Sequence, residues 1–177
     1  MKQTSDTVIR RASIADAALL AELGARTFVE TFAADNRPED MTAYLASSFG
    51  LKQQAAELAD PRSLFLIAEI NGTGAGYARM HGGANPPSGV TKNQPIELVR
   101  LYVSQDWIGR GIGALLMQGC LIEAAQKGYS TIWLGVWEHN LRARAFYRKW
   151  NFQEVGKHVF QLGNDLQTDI LMQRFLD

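Results

Sequence analysis

Three glycines at alternate positions, Gly109, Gly111 and Gly113, point most directly to chemistry. They follow a segment in which apolar and polar residues alternate (residues 99–103), which predicts a strand, and they precede an apolar run that predicts a helix. Glycines at the start of a helix let a ligand approach the backbone and leave several N–H groups pointing at it, which favours an anion such as phosphate. The pattern therefore predicts a phosphate-binding turn.

The spacing of this turn argues against two common nucleotide sites. It reads G-x-G-x-G, whereas the dinucleotide fingerprint reads G-x-G-x-x-G and opens a first strand–turn–helix unit. It also lacks the Gly-Lys-Ser/Thr with which a nucleoside-triphosphate loop reaches the terminal phosphates and magnesium, so a kinase-like enzyme is disfavoured. A third ligand remains, a pyrophosphate held by backbone N–H groups, as coenzyme A is held in acetyltransferases.

Residues 97–103 and the glycine turn together resemble the acetyl-CoA motif of the GNAT N-acetyltransferase superfamily, R/Q-x-x-G-x-G/A. The chain departs from that motif at Ile108, where Arg or Gln is usual. Because the family holds the pyrophosphate largely through main-chain N–H groups, the resemblance still implies that the chain binds acetyl-CoA, with no metal. The implied acetyl-CoA-binding residues are Leu101, Tyr102, Val103, Ile108, Gly109, Arg110, Gly111, Ile112, Gly113, Ala114, Asn140 and Tyr147.

A second segment, residues 140–152, resembles the GNAT pattern N-x-x-A-x-x-F-Y-x-x-x-G-F when Ala143 is aligned with its alanine. Asn140 is a predicted N-cap for the helix that follows, and Asn151 replaces the usual glycine. Tyr147 is the candidate general acid, because a phenol can give a proton to the departing thiolate. Tyr147 also lies on the apolar stripe of its helix, so packing in the core is the alternative role.

Glu97 is the candidate general base. It stands six residues before Val103, where some GNAT protein acetyltransferases carry their base, and it would take a proton from an ammonium directly or through water. The alternative is an ordinary solvated carboxylate at the start of a strand. In the family the splayed central strand aims a backbone N–H at the thioester carbonyl, and Val103 is the residue expected to do so here.

The charge of the first helices indicates the acceptor. Residues 30–60 hold six acidic residues and two basic ones, and in the family this region frames the acceptor, so a cationic amine is favoured over an uncharged one. A narrower resemblance, from residues 27–49 and the last hairpin, is to PaiA-type polyamine acetyltransferases. The predicted acceptor contacts are Phe28, Glu30, Phe32 and Tyr44. A peptide or protein N-acetyltransferase and a non-catalytic CoA-binding regulatory domain are the alternatives.

Length and composition frame these motifs. With 177 residues the chain is predicted to form a single domain (residues 1–177), and its net charge of zero gives no reason to expect binding to nucleic acid or a membrane. The single cysteine, Cys120, excludes an internal disulfide and is predicted to be buried in a helix. Residues 1–6 lack the apolar core of a signal peptide, so a cytoplasmic location is expected. Whether the last hairpin joins two copies in a homodimer is left open.

Periodicity places these motifs in an α/β (α+β) fold. Strands are predicted at residues 8–11, 63–70, 75–80, 99–103, 131–136, 152–162 and 166–175. Helices are predicted from residue 14 to about 30, from residue 38, at about 52–58, from the glycine turn to about 127, and at 141–150. This order matches the GNAT fold, a mixed central sheet with helices on both faces.

Overall fold

The computed structural model describes residues 6–83 and 85–176, so the expectation about a signal segment falls almost entirely outside the described residues. The strands within that part are β1 (Thr7–Arg11), β2 (Ser63–Ile70), β3 (Thr73–Gly82), β4 (Pro95–Val103), β5 (Thr131–Trp137), β6 (Gln153–Leu162) and β7 (Asp165–Phe175). The α-helices are α1 (Ala17–Phe32), α2 (Pro38–Ser48), α3 (Leu51–Ala59), α4 (Ile112–Gln126) and α5 (Leu141–Lys149).

The strands form one sheet in the order β1-β2-β3-β4-β5-β7-β6. Neighbouring strands are antiparallel except for β4 and β5, which are parallel. Parallel neighbours need a crossover connection, and α4 provides it between these two strands. The mixed sheet confirms the predicted fold class.

Each face of the sheet carries its own core, and each core is covered by helices. Leu64 and Leu66 of β2 pack with Leu116 of α4 on one face, whereas Phe65 packs with Leu20 of α1 on the other. Successive side chains of a strand point to opposite faces, so a strand buried on both faces is apolar almost throughout, as β2 is. Helices therefore lie on both faces, as predicted.

Helix α1 begins later than the sequence pattern predicts. Ile14–Asp16 form a separate 3₁₀ turn. The Asp16 carboxylate accepts the Ser13 N–H (2.7 Å) and pairs with Arg10 of β1 (2.8 Å), so this turn is tied to the sheet before the helix starts. In the part of the chain that the structure describes, no helix is long and apolar enough to cross a membrane.

The last hairpin is tighter than predicted. Its turn is Gly163–Asn164, and Asp165, which the sequence pattern placed in the turn, already pairs with Leu162. Gly163 has a positive φ of 59°, and the buried Asp40 carboxylate of α2 accepts the Asn164 N–H (2.8 Å). The contact with α2 therefore holds a two-residue turn and fixes the register of β6 on β7.

Candidate active site

The central parallel strands separate to form the site. β4 and β5 pair only from Pro95 to Glu97, opposite Thr131 to Trp133, and beyond that point no pairing joins them. A bulge on β4 accompanies the separation. Arg100 and Leu98, which are two residues apart on β4, pair with Arg79 and Met80, which are consecutive on β3. Bulges bend a strand away from its neighbour. The carboxyl-terminal ends of β4 and β5 thus diverge and leave a cleft, the usual place for a ligand in such sheets.

A cavity of about 560 Å³ fills this cleft and continues beneath α1 and α2. Both predicted catalytic residues, Glu97 and Tyr147, line it. Ten of the twelve predicted acetyl-CoA contacts also line it: Leu101, Tyr102, Val103, Ile108, Gly109, Gly111, Gly113, Ala114, Asn140 and Tyr147. The structure therefore brings two distant sequence motifs to one cavity.

Backbone N–H groups point into the cleft from two elements. The Ser104 N–H donates to Ala75 of β3 (2.8 Å), and successive N–H groups of a strand point to opposite edges, so the Val103 N–H faces away from β3, toward the cleft. At the glycine turn, Gly109 and Gly111 have φ values of 80° and 85°. The Leu115 N–H makes the first bond of α4, to Gly111 (3.1 Å), which leaves the preceding N–H groups of the helix to a ligand.

Two predicted acetyl-CoA contacts lie elsewhere. Ile112 is 3% exposed and packs in the core under α4. The Arg110 guanidinium lies over the ring of Trp107, 4.9 Å from its centroid, and Arg110 does not line the cavity. The basic side chains that line the cavity are Arg100 of β4 and Arg142 of α5.

Tyr147 is held in place by the start and packing of α5. The Asn140 side chain accepts the Ala143 N–H (3.1 Å), which confirms the predicted N-cap. Tyr147 is 9% exposed and packs against Phe146 and Phe152. Burial raises the pKa of Tyr147, so its phenol stays protonated near neutral pH. That is the form a general acid needs.

Glu97 is half-buried in the wall of the cavity. Burial raises the pKa of its carboxyl, while the positive charge of Arg79 acts in the opposite direction. A carboxylate whose pKa is raised toward neutrality is a better base than a solvated one. This environment fits the predicted role better than the alternative of a solvated carboxylate.

Aromatic rings form one wall of the cavity. Phe28 stacks on Tyr44, with ring centroids 4.7 Å apart, and contacts Phe32 at 4.6 Å. Trp137 and Phe160 add rings from β5 and β6, 6.3 Å from Phe32 and 5.6 Å from Tyr44. Three of the four predicted acceptor contacts, Phe28, Phe32 and Tyr44, therefore line one aromatic wall.

Glu30, the fourth predicted acceptor contact, does not line the cavity. Its carboxylate accepts the Gln105 N–H (2.8 Å) in the loop after β4. The other acidic residues of residues 30–60 lie outside the cavity as well, and Glu57 and Asp60 form ion pairs with Arg100 and Arg62. The acidic balance of this segment is therefore not the charge of the cavity.

The acidic groups that do line the cavity are Glu97 and Asp169, and Asp169 is accompanied by His158. The His158 Nε2 atom lies 3.6 Å from the Asp169 Oδ2 atom. Burial raises the pKa of Asp169, while His158 acts in the opposite direction. Sequence reasoning missed this pair, although a two-residue turn at Gly163–Asn164 would have put His158 opposite Asp169 in register.

In residues 6–83 and 85–176, no cluster of three His, Cys, Asp or Glu side chains could hold a metal ion. Cys120 is buried in α4, as predicted, and burial raises the pKa of its thiol to about 12. The side chains at the cavity include titratable groups and aromatic rings, and backbone N–H groups of β4 and of the start of α4 face the same cleft.

The acetyltransferase (GNAT) family profile matches residues 24–152. An N-acetyltransferase of Lactobacillus delbrueckii subsp. lactis is 35% identical over 150 residues, 85% of this chain and 86% of that protein. One of Mycobacterium tuberculosis is 34% identical over 161 residues, 91% of this chain and 98% of that protein. The chain belongs to the GNAT acetyltransferase family. It is an acetyl-CoA-dependent N-acetyltransferase.

Solved structures share the fold. PaiA N-acetyltransferase from Thermoplasma acidophilum, in complex with coenzyme A, has a TM-score of 0.76 at 22% identity, over 96% of this chain and 99% of that one. A GCN5-related N-acetyltransferase from Rhodopseudomonas palustris has a TM-score of 0.76 at 19% identity, over 99% and 100% of the two chains. These similarities support the splayed mixed sheet as the shared framework.

Proposed function

We propose that the acceptor is a cationic primary amine, such as a polyamine, which attacks the acetyl group directly while both substrates are bound. The observation that carries this proposal is the lining of the cavity. It combines the carboxylates of Glu97 and Asp169 with the rings of Phe28, Tyr44 and Trp137. Carboxylates and aromatic faces both attract ammonium groups.

The backbone orients and polarises the acetyl group in this proposal. Acetyl-CoA supplies an acetyl group activated as a thioester. The N–H groups at the start of α4 hold its pyrophosphate, and the Val103 N–H donates to the thioester carbonyl, where negative charge develops in the transition state. Because these donors are main-chain groups, a replacement of the Val103 side chain should change the reaction little.

Two side chains move protons. Glu97 accepts a proton from the attacking nitrogen, directly or through water, and Tyr147 gives its phenolic proton to the departing thiolate. The raised pKa of the half-buried Glu97 carboxyl and the protonated, buried phenol of Tyr147 support these roles. An acid or base positioned in this way contributes about 10²–10⁴-fold to a rate.

Thiol release from acetyl-CoA tests the acceptor. The panel contains spermidine, spermine, lysine, aminoglycosides and short peptides, each assayed with a thiol-reactive dye. We expect the polyamines to give the highest kcat/KM. Faster release with a peptide would replace the proposal with a peptide or protein acetyltransferase. No release with any cationic amine would contradict it.

Tyr147→Phe tests the acid. The variant should bind acetyl-CoA with unchanged affinity in calorimetry but turn over about 100-fold more slowly. Tyr129→Phe is the matched control, because Tyr129 does not line this cavity, and it should keep wild-type turnover. Unchanged turnover of Tyr147→Phe would leave Tyr147 with a packing role alone.

The homodimer also stays a prediction. β6 is the last strand of the sheet, and on its hairpin Val159 and Leu166 are 66% and 68% exposed. We expect this hairpin to be the contact between copies if a dimer forms. Sedimentation of the wild type and of Val159→Lys would test this, because a charge on an exposed strand edge opposes association.

A further inference from the structure

The side chains of His158 and Asp169 meet next to a glycine of strand β5, Gly135. Gly135 of β5 has no Cβ, and one built there would lie 3.0 Å from the His158 Nε2 atom and 3.1 Å from the Asp169 Oδ2 atom. Any larger residue would therefore press on both polar atoms. With glycine, the ends of the imidazole and the carboxylate are open to the cavity.

The two side chains differ in their access to solvent. The His158 side chain is 37% exposed, whereas that of Asp169 is 12% exposed. His158 also acts on Glu97, because its charge is among those that lower the pKa of Glu97. Arg100 and Arg142 are the other charged side chains that line the cavity. His158 thus joins the cavity, where the acceptor binds in the proposed function, to the surrounding water.

The reaction needs more than one proton acceptor. A primary alkylamine has a pKa near that of lysine, about 10.4, so near neutral pH only about one molecule in a thousand is neutral. As the ammonium becomes an amide, its nitrogen gives up two protons. One of these protons makes up for the phenolic proton that Tyr147 gives to the CoA thiolate. The other proton must leave to solvent. Glu97 takes one of these protons in the proposed function, so a second group must take the other.

We propose that His158 takes the first proton from the acceptor ammonium and passes it to solvent, and that Asp169 positions His158 for this step. The inference rests on the proposed function. The imidazole, neutral with its proton on Nδ1, accepts the ammonium proton at Nε2, the atom that faces Asp169. The ammonium becomes the neutral amine and the ring becomes an imidazolium paired with Asp169, and release of one proton to solvent restores the neutral imidazole. The amine nitrogen then bonds to the acetyl carbon, and the carbon–sulfur bond breaks. Glu97 accepts the second proton that the nitrogen loses, and Tyr147 gives its phenolic proton to the departing thiolate.

The test compares His158→Ala with wild type over a range of pH, using whichever panel acceptor gives the fastest thiol release. Near neutral pH we expect kcat/KM to fall about 100-fold. The ratio of wild type to variant should shrink toward one as the pH approaches about 10, because the acceptor is then increasingly neutral in solution. Added imidazole should restore part of the lost rate near neutral pH.

His139→Ala is the matched control. The His139 Nε2 atom lies 3.7 Å from Glu138, so it has a similar carboxylate neighbour, but it is 70% exposed and does not line the cavity. This variant should keep wild-type kcat/KM at every pH. Asp169→Asn should lose about tenfold in kcat/KM without rescue by imidazole, because the His158 ring still occupies its place.

The outcomes separate this inference from the proposed function. A ratio that stays constant with pH, or no loss in His158→Ala, overturns the role of His158 while the acetyltransferase stays active. Absence of thiol release from the wild type with every acceptor overturns both. If His158→Ala does not fold, as judged by acetyl-CoA affinity, Gly135→Ala gives a second test. It should raise KM for the amine and leave acetyl-CoA affinity unchanged, and an unchanged KM would contradict the inference.

Discussion

Replacing Glu57 with Gln should destabilise the protein by about 3–5 kcal/mol. The Glu57 carboxylate contacts the Arg100 guanidinium at 2.6 and 3.1 Å and that of Arg79 at 3.3 Å. The three side chains are only 7%, 9% and 13% exposed. A neutral amide would leave two guanidinium groups buried without their anion. Removing one partner of a buried ion pair has a cost in this range.

Urea unfolding measures the effect. For a chain of this size ΔG falls by about 2 kcal/mol per molar urea, so the midpoint should drop by roughly 2 M. Glu22→Gln is the matched control, because the same chemical change is made at an exposed ion pair. Glu22 is 73% exposed and lies 3.7 Å from Arg26, and its replacement should cost less than about 0.5 kcal/mol.

The pKa of Glu57 determines how the stability difference between wild type and Glu57→Gln changes with pH. Burial acts to raise the pKa of Glu57, but its hydrogen bonds and charge interaction with Arg100 outweigh burial and hold it below the ordinary value of 4.5. A lowered pKa in the folded state means that the carboxylate contributes fully above pH 4.5 and loses its contribution as the pH falls through the folded value. The gap between wild type and Glu57→Gln should therefore close in acid. A gap that stays constant in acid, or one no larger than that of Glu22→Gln, would refute the reasoning.

Further predictions concern the glycine turn, the last hairpin and the thiol. Gly111→Asp should weaken acetyl-CoA binding at least about tenfold in calorimetry, because a fixed carboxylate competes for the anion site. Gly128→Asp is the control, since Gly128 has a similar φ of 80° but lies beyond the other end of α4, and it should leave the affinity unchanged. Asp40→Ala should lower the unfolding free energy by about 1–3 kcal/mol, because the Asn164 N–H loses its acceptor; an unchanged melting temperature would contradict this. Cys120 should resist thiol reagents in the native protein and react after denaturation; rapid native labelling would argue against its burial.

Local patterns in the sequence were enough to predict the elements of the fold. The connection between the strands predicted at residues 63–70 and 75–80 is an example. Asn71 and Gly72 adopt the positive φ of a type I′ hairpin there (51° and 77°) and set the pairing of β2 with β3. The glycine turn is another, since Gly111 has a positive φ that side chains rarely adopt. In both cases the chemistry of one or two residues determines the backbone.

The acceptor end was harder to predict because tertiary contacts decide it. Glu30 looked like an acceptor contact on the charge of its segment, but its carboxylate is taken up by the Gln105 N–H. His158 and Asp169 are eleven residues apart, and only the tight turn held by Asp40 places them opposite each other. Charge counts along a segment do not show which carboxylates already have partners.

The separation of β4 from β5 creates two strand edges inside the sheet. Open edges invite pairing with strands of other molecules, the first step of many aggregation pathways. Here the start of α4 and the residues of α5 line the same cleft, so a thin, flexible molecule can reach the free edge of β4 but a second polypeptide strand is hindered. The helices that line the substrate opening therefore also hinder strand pairing at this edge.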